Sequence, residues 1–205
     1  MRGPRIVQLS QPPKKLSATS SLSTYRLTPA IVATKCAPQQ LVPWLPTRPG
    51  AFREVRTVFL HHEVATLFNA NPWPRDRLDL DDDPSLRRRQ FHAVLQGFIT
   101  GRPLLLDLEL KLLKPISAEF ADLWEFRSMP PDPQTRLLGF FAAPGCFVGL
   151  WFGLRRDLGD KNDIRWSNAA KICRQRFALL FPGAAPMPSA WPINGRAGLR
   201  SYTDE

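Results

Sequence analysis

Residues 135–154, with the sequence TRLLGFFAAPGCFVGLWFGL, decide the fold class predicted for this chain. The stretch contains 18 consecutive uncharged residues from Leu137 to Leu154, which is the lower limit of length for a helix that crosses a membrane. Pro144 and Gly145 stand at its centre, where proline would break a helix and the pair favours a tight turn. We therefore predict a β-hairpin here, with a membrane-anchored protein as the alternative.

The two strands of this hairpin are predicted over Thr135–Ala142 and Cys146–Gly153, which are rich in Phe, Trp, Leu and Val. Elsewhere in the chain, apolar residues at helical spacing predict a helix and alternating apolar residues predict a strand, and proline or glycine marks the end of each element. In chain order these elements are a strand over 54–60, a helix over 61–70, a helix from Pro84 to Gly101, a strand over 122–128 and a helix that begins after Asn162 or Asp163.

The order strand, two helices, three antiparallel strands and helix places the chain in the α+β class. We expect a small antiparallel sheet with helices packed on one side, within one domain over residues 51–182. The last helix has a buried stripe that consists of Trp166, Ala169, Ala170, Cys173, Phe177 and Leu180. Lys171 and Arg174 lie on its other side.

The strand over 122–128 alternates between apolar and charged residues. Trp124 and Phe126 point to one face of the sheet, and Glu125 and Arg127 point to the other. Polar side chains on one face of this strand indicate a functional surface. The alternative is that Arg127 forms an ion pair with Glu125 or with another acidic neighbour.

The formal charge of the 205-residue chain is +10, and most of it lies in the first 50 residues. That segment contains no acidic residue, and its basic residues are Arg2, Arg5, Lys14, Lys15, Arg26, Lys35 and Arg48. Its Pro, Ser and Thr content cannot bury enough apolar surface to offset the entropy of ordering. We therefore predict a disordered arm over 1–50, with an organelle transit peptide or a start codon assigned too far upstream as alternatives.

Two further expectations concern the ends of the predicted domain. Deleting residues 1–50 should leave folding unchanged, since nothing in them is expected to pack. A flexible tail is predicted over 183–205. Within the domain, residues 127–182 carry nine basic residues against four acidic ones, so any basic face belongs there.

Cysteines and histidines give no sign of a disulfide framework or a metal site. Cys36, Cys146 and Cys173 are odd in number and widely spaced, which favours a reducing cytoplasm. The histidines are His61, His62 and His92, and they have no companion residue at a spacing typical of metal ligands. We predict no metal and no small-molecule cofactor.

The chain from Leu123 onward resembles the phage-derived HigB-like branch of the RelE/ParE toxin superfamily. The resemblance is carried by residues 123–127 (LWEFR), 135–141 (TRLLGFF) and 150–156 (LWFGLRR), then Asp163-Ile164 followed by Ala169 or Ala170. It covers roughly Ala51–Pro182 and is sharp only after Leu123. Thr135 stands where the family often has an aromatic residue, Trp151 replaces a histidine, and Arg155-Arg156 replace a lysine pair.

The resemblance implies a toxin of a type II toxin–antitoxin pair, held silent by a cognate helix-turn-helix antitoxin. Such a toxin is a cytoplasmic, ribosome-associated endoribonuclease that cleaves mRNA without metal, by attack of a 2′-hydroxyl on the adjacent phosphate. The residues expected to stabilise that phosphate are Arg127, Arg136, Arg155 and Arg156, at or near the ends of three neighbouring strands. The residues expected to bind RNA are Trp124, Trp151, Lys171 and Arg174.

Each of these assignments has a structural alternative. The arginines would then be solvated or ion-paired residues that bracket an apolar hairpin, and the two tryptophans would be core residues. Because the pKa of a guanidinium is too high for a general base, no residue is predicted to abstract the proton. The rival hypothesis is therefore a non-catalytic binding module of the same fold, such as a ParE-like inhibitor of a protein or a degenerate phage-derived protein.

Overall fold

A computed structural model describes residues 27–45, 56–70, 84–102, 104–105, 107–113, 117–128, 134–160 and 163–188. The α-helices in these ranges are α1 (Pro29–Ala33), α2 (His62–Asn69), α3 (Pro84–Ile99) and α4 (Ile164–Leu180). The strands are β1 (Leu41–Pro43), β2 (Thr57–His61), β3 (Leu110–Leu112), β4 (Trp124–Arg127), β5 (Thr135–Ala143) and β6 (Cys146–Leu154). Short 3-10 helices cover Thr34–Cys36, Ala118–Phe120 and Arg155–Leu158. The α+β class and the order of the predicted elements are confirmed.

The six strands form one mixed sheet in the order β1-β2-β6-β5-β4-β3. Strand β2 pairs in parallel with β6, and the other neighbours are antiparallel. The prediction of a small antiparallel sheet is therefore wrong. The parallel pair arises because α2 and α3 carry the chain from β2 back to the far side of the sheet, so that β6 returns beside β2 in the same direction.

The central hairpin is the stretch that also had a membrane alternative. β5 and β6 pair from Thr135↔Leu154 to Ala143↔Cys146, with register shifts at Leu138/Gly139 and at Phe141/Ala143. Pro144 and Gly145 form the turn, and Gly145 has a φ of 61°, which a glycine adopts without strain. The hairpin prediction is confirmed. Among the helices of the described ranges, none is long and apolar enough to cross a membrane.

Helices cover both faces of the sheet. One core contains residues of α1 and α4 packed on Phe59, Leu138 and Phe140, and the other contains residues of α2 and α3 packed on Val58 and Leu137. Successive strand residues belong to opposite cores because side chains alternate across a strand. The prediction that the helices pack on one side is therefore wrong. The sheet is buried on both faces, which explains why β5 shows an almost unbroken apolar run instead of an alternation.

Helix α4 follows its sequence pattern closely. The side chain of Asp163 caps it by accepting a hydrogen bond from the Arg165 backbone N–H. All six residues of the predicted stripe are buried, and Cys146 is also buried in the same core. The predicted N-cap and buried stripe of this helix are confirmed.

Part of the predicted amino-terminal arm belongs to the folded domain. Residues 27–45 contain α1 and β1, and Val32, Leu41 and Trp44 are among the buried residues. The prediction of a disordered segment over 1–50 is therefore wrong for residues 27–45, because their few apolar residues are placed where they cover the sheet. Residues 1–26 and 46–50 lie outside the described ranges.

The carboxy-terminal boundary also differs from the predicted one at residue 182. The backbone N–H of Met187 donates to the carbonyl of Phe141, and its side chain packs against the core that α2 and α3 cover. Residues 189–205 of the predicted tail lie outside the described ranges. The described fold therefore runs at least from Leu27 to Met187.

Replacing Leu41 by alanine tests whether this amino-terminal segment stabilises the fold. Leu41 is 1% exposed, and we expect a loss of about 2 kcal/mol in the free energy of unfolding, since the change removes buried methyl groups and leaves a cavity. Val42, the next residue of β1, is 36% exposed, so Val42→Ala is the matched control, with a change within about 0.5 kcal/mol. Equal effects of the two variants in urea denaturation would show that β1 does not pack as described.

Candidate functional site

Strand β4 separates an apolar face from a charged one, as its sequence predicts. Phe126 and Trp124 lie in the core under α2 and α3, where the Trp124 ring packs edge-on against Phe141 at 5.5 Å between centroids. Trp124 is only 5% exposed. Its predicted role in stacking on RNA bases has no accessible ring face to support it, and the structure places it as a core residue, which was the alternative.

Glu125 on the opposite face is surrounded by basic side chains. Its Oε1 lies 3.4 Å from Nε of Arg127, and its Oε2 lies 3.4 Å from Nε of Arg136. Arg127 and Arg136 are cross-strand partners between β4 and β5, and Lys111 of β3 is the partner of Glu125 itself. Strand pairing therefore brings together residues that are far apart in sequence.

The pKa of Glu125 reflects both its burial and these charges. Burial raises the pKa above that of an ordinary glutamate, while Arg136, Arg127, Lys111 and Arg155 act in the opposite direction. We call these five residues the Glu125 cluster. Four positive charges surround one negative charge, so the cluster has a net positive charge even when the carboxyl group is ionised.

Arg136 is the most deeply buried cation of the Glu125 cluster, with 1% of its side chain exposed. Its Nη1 donates to the carbonyl of Thr135 at 2.9 Å, and its Nη2 donates to Oε1 of Gln134 at 2.5 Å. These contacts hold the guanidinium in place beside Glu125. Arg136 therefore positions Glu125 and sets the local charge, whereas a substrate phosphate has little access to it.

Arg127 links the cluster to solvent. Its side chain is 22% exposed, and its Nη1 donates to the carbonyl of Asp107 at 2.6 Å. The alternative in which Arg127 pairs with Glu125 is confirmed. Because the same carboxylate is shared with Arg136, this ion pair does not neutralise the cluster.

The two arginines that follow β6 have different environments. Arg155 donates to the carbonyl of Gly159, and its guanidinium lies over the ring of Trp166 at 5.3 Å. Its positive charge also acts to lower the pKa of Glu125. Arg156 is exposed on the same short helix and lies outside the Glu125 cluster. Of the four predicted arginines, Arg127 and Arg136 therefore pair with Glu125, Arg155 acts on it through its charge, and Arg156 lies outside the cluster.

Trp151 lies close to this end of the sheet. It is half-buried, and a Cβ atom placed on Gly153 would lie 2.7 Å from Cη2 of Trp151, so the indole ring rests on the backbone of Gly153. Gly153 is in turn the cross-strand partner of Arg136. Among the predicted stacking residues, Trp151 is thus the one that combines partial exposure with a place beside the cluster.

The predicted RNA-binding residues of α4 are less well placed. Arg174 donates to the carbonyl of Ala121, and its guanidinium lies 4.5 Å from the centre of the Phe140 ring. These contacts hold the Ala118–Phe120 turn against α4, which is a structural role. Lys171 is exposed on the helix surface, and its predicted role stays a prediction.

Glu125 is the residue that sequence reasoning missed as a candidate for chemistry. The alternation of β4 predicts it only as an ion-pair partner of Arg127. The pattern of alternating apolar and charged residues already placed it on the polar face of a strand, but its near-complete burial depends on β3 and β5 pairing on both sides. A carboxyl group whose pKa is raised by burial is a better proton acceptor near neutral pH than an exposed one.

The three histidines have different surroundings. Among the described residues, His61, His62 and Glu63 each have a nitrogen or oxygen atom that lies within 4.8 Å of those of the other two. His92, in contrast, stacks on Phe68 at 5.0 Å between ring centroids, and burial lowers its pKa to about 4. His92 is therefore a packing residue.

The Glu125 cluster can bind an anion and accept a proton. Its net positive charge, the partial exposure of Arg127 and the adjacent Trp151 ring suit a phosphate that carries an aromatic base. A scan against protein-family models, a search of curated proteins and a search of solved structures each found no match to this chain.

Proposed function

We propose that this chain is a metal-independent endoribonuclease of the RelE/HigB toxin kind, which cleaves mRNA at the ribosome and is inhibited by a cognate helix-turn-helix antitoxin. The proposal includes a RelE-like fold and a cytoplasmic site of action. The observation that carries it is the buried Glu125 between Arg127 and Arg136, because it supplies the proton acceptor that arginines alone could not.

The proposed reaction needs one proton acceptor and a cation beside the phosphate. The Glu125 side chain is only 4% exposed, so it takes the proton of a ribose 2′-hydroxyl through one bridging water. The 2′-oxygen then attacks the adjacent phosphorus. The bond from phosphorus to the 5′-oxygen breaks, and that oxygen takes a proton from solvent. The products are a 2′,3′-cyclic phosphate and a 5′-hydroxyl.

The cations have separate tasks in this reaction. We place the phosphate beside Arg127, since the side chain of Arg127 is 22% exposed and that of Arg136 is 1% exposed. Arg127 and Arg155 then stabilise the negative charge that grows on the phosphate oxygens. Trp151 offers a ring on which one flanking base stacks.

Glu125→Gln tests the proposal on the full-length protein, with ribosomes and a defined mRNA. Glutamine keeps the size of the side chain but cannot accept the proton, so we expect cleavage to fall by about a hundredfold or more while RNA binding is retained. Arg127→Gln should weaken both cleavage and binding. The readout is the mapped 5′ end of the cleaved mRNA together with a circular dichroism melt.

Arg165→Gln is the matched control. Arg165 is 53% exposed and pairs with Asp163 outside the Glu125 cluster, so its loss should leave cleavage unchanged. A wild-type protein that neither cuts mRNA on ribosomes nor arrests growth when it is expressed would contradict the nuclease proposal. A Glu125→Gln variant with full activity would remove Glu125 from the mechanism.

The second candidate is a binding module of the same fold without nuclease activity. The observation that favours it is Arg136, whose guanidinium contacts Glu125, Thr135 and Gln134 and is almost fully buried. RNA binding that depends on Arg127, together with intact RNA after long incubation, would select this candidate.

A further inference from the structure

We propose that His61, His62 and Glu63 form a binding site for a divalent transition metal such as Zn²⁺, in which Arg176 competes with the metal for Glu63. The three residues lie where β2 ends and α2 begins. The site shares no residue with the Glu125 cluster, so the inference is independent of the proposed nuclease activity.

The ligand set and its spacing support the site. Two imidazoles and one carboxylate are a common donor set for zinc and other first-row metals. One ligand atom from each residue lies within 4.8 Å of the others, and rotation of the exposed His62 and Glu63 side chains can bring them closer together. The rings of His61 and His62 are 4.5 Å apart between centroids.

His61 provides a second, independent observation. Its Nδ1 is buried and has no hydrogen-bond partner within the described ranges, although a buried polar nitrogen normally has one.

Arg176 of α4 now holds the carboxylate of Glu63. Its Nη2 donates to Oε2 of Glu63, and its Nη1 donates to the carbonyl of Leu150 at 2.6 Å. A metal ion that binds Glu63 must replace this ion pair and must also tolerate the nearby guanidinium charge. Removing the guanidinium should therefore strengthen metal binding, an effect opposite to that of removing a ligand.

The experiment is a titration of the full-length, chemically reduced protein with Co²⁺, followed by displacement with Zn²⁺. We expect one bound Co²⁺ per chain, with d–d absorption bands in the visible range and no charge-transfer band from thiolate to cobalt. His62→Ala and Glu63→Gln should weaken binding by about tenfold or more, at least as much as loss of an outer-shell partner does. Arg176→Gln should strengthen it by about two- to fivefold, the equivalent of an exposed ion pair.

Cys36→Ser is the matched control. Cys36 and His62 both line a cleft of about 560 Å³ beside β1, so the thiol is a nearby competing ligand. The serine variant should bind Co²⁺ as the wild type does. Binding that is lost in Cys36→Ser, or that is equal in the wild type and His62→Ala, would overturn the proposed ligand set. Weaker binding by Arg176→Gln would overturn the competition for Glu63.

Discussion

Arg136→Met is expected to lower the free energy of unfolding by about 3–5 kcal/mol at neutral pH, since it removes one partner of a buried ion pair. Arg136 and Glu125 are 1% and 4% exposed in their side chains, so water cannot replace the lost guanidinium. Methionine fills part of the space but makes none of the hydrogen bonds to Thr135 and Gln134. The measurement is urea denaturation monitored by tryptophan fluorescence.

The pH dependence of stability distinguishes this electrostatic effect from a simple loss of packing, which would not change with pH. Burial raises the pKa of Glu125 in the folded state, and among the four cations that oppose this shift Arg136 has the largest effect. Between the unfolded and folded pKa values the folded state binds more protons, so stability falls as pH rises through that window. In Arg136→Met the folded pKa is higher still, and the fall should be larger and extend to higher pH.

Glu125→Gln and the double variant Glu125→Gln/Arg136→Met separate charge from packing. Glutamine keeps the size of the side chain and avoids the cost of burying an ionised carboxylate, so Glu125→Gln alone should cost less than Arg136→Met at neutral pH. Adding Glu125→Gln to Arg136→Met should restore part of the lost stability and remove the additional pH dependence. A double variant that is as unstable as the sum of the two single variants would contradict this electrostatic account.

Local sequence patterns predicted those parts of the fold that depend on neighbours along the chain. The turn at Pro144-Gly145 and the buried stripe of α4 needed only helix-breaking residues, strand propensity and helical spacing, and both are confirmed. The parallel pairing of β2 with β6 could not be predicted in this way, since it depends on which strand the chain returns to after two helices. Strand β1 was missed because it has three residues, one of them a proline.

For the candidate site, too, local sequence patterns predicted contacts within one strand but not contacts between strands. The alternation in β4 predicted correctly that Glu125 and Arg127 share a face, and their proximity followed. It could not predict that Arg136 would lie opposite Arg127, because the register between β4 and β5 is set by contacts across the whole sheet. In this register Trp124 is buried in the core that α2 and α3 cover. The composition of the strand suggested that Trp124 stacks on RNA bases, whereas in the fold it is a core residue.

Gly139→Ala is expected to destabilise the protein by more than the ~1–3 kcal/mol of ordinary overpacking. A Cβ atom at this position would lie 2.0 Å from the backbone oxygen of Val148 and 2.7 Å from the ring of Phe147. A carbonyl group that takes part in the central sheet cannot rotate away, so β5 and β6 would have to separate at the register shift beside Leu138. The expected result is a large drop in melting temperature or loss of folded protein.

Gly149→Ala is the control for Gly139→Ala, because the two glycines are cross-strand partners in the same hairpin. A Cβ atom on Gly149 would lie 2.8 Å from a methyl group of Leu137 and 2.9 Å from one of Leu60, and both are ends of flexible side chains that can shift. We expect Gly149→Ala to remain folded with a cost of about 1–3 kcal/mol. If Gly139→Ala were as stable as Gly149→Ala, the two strands could not approach each other as closely as the described register requires.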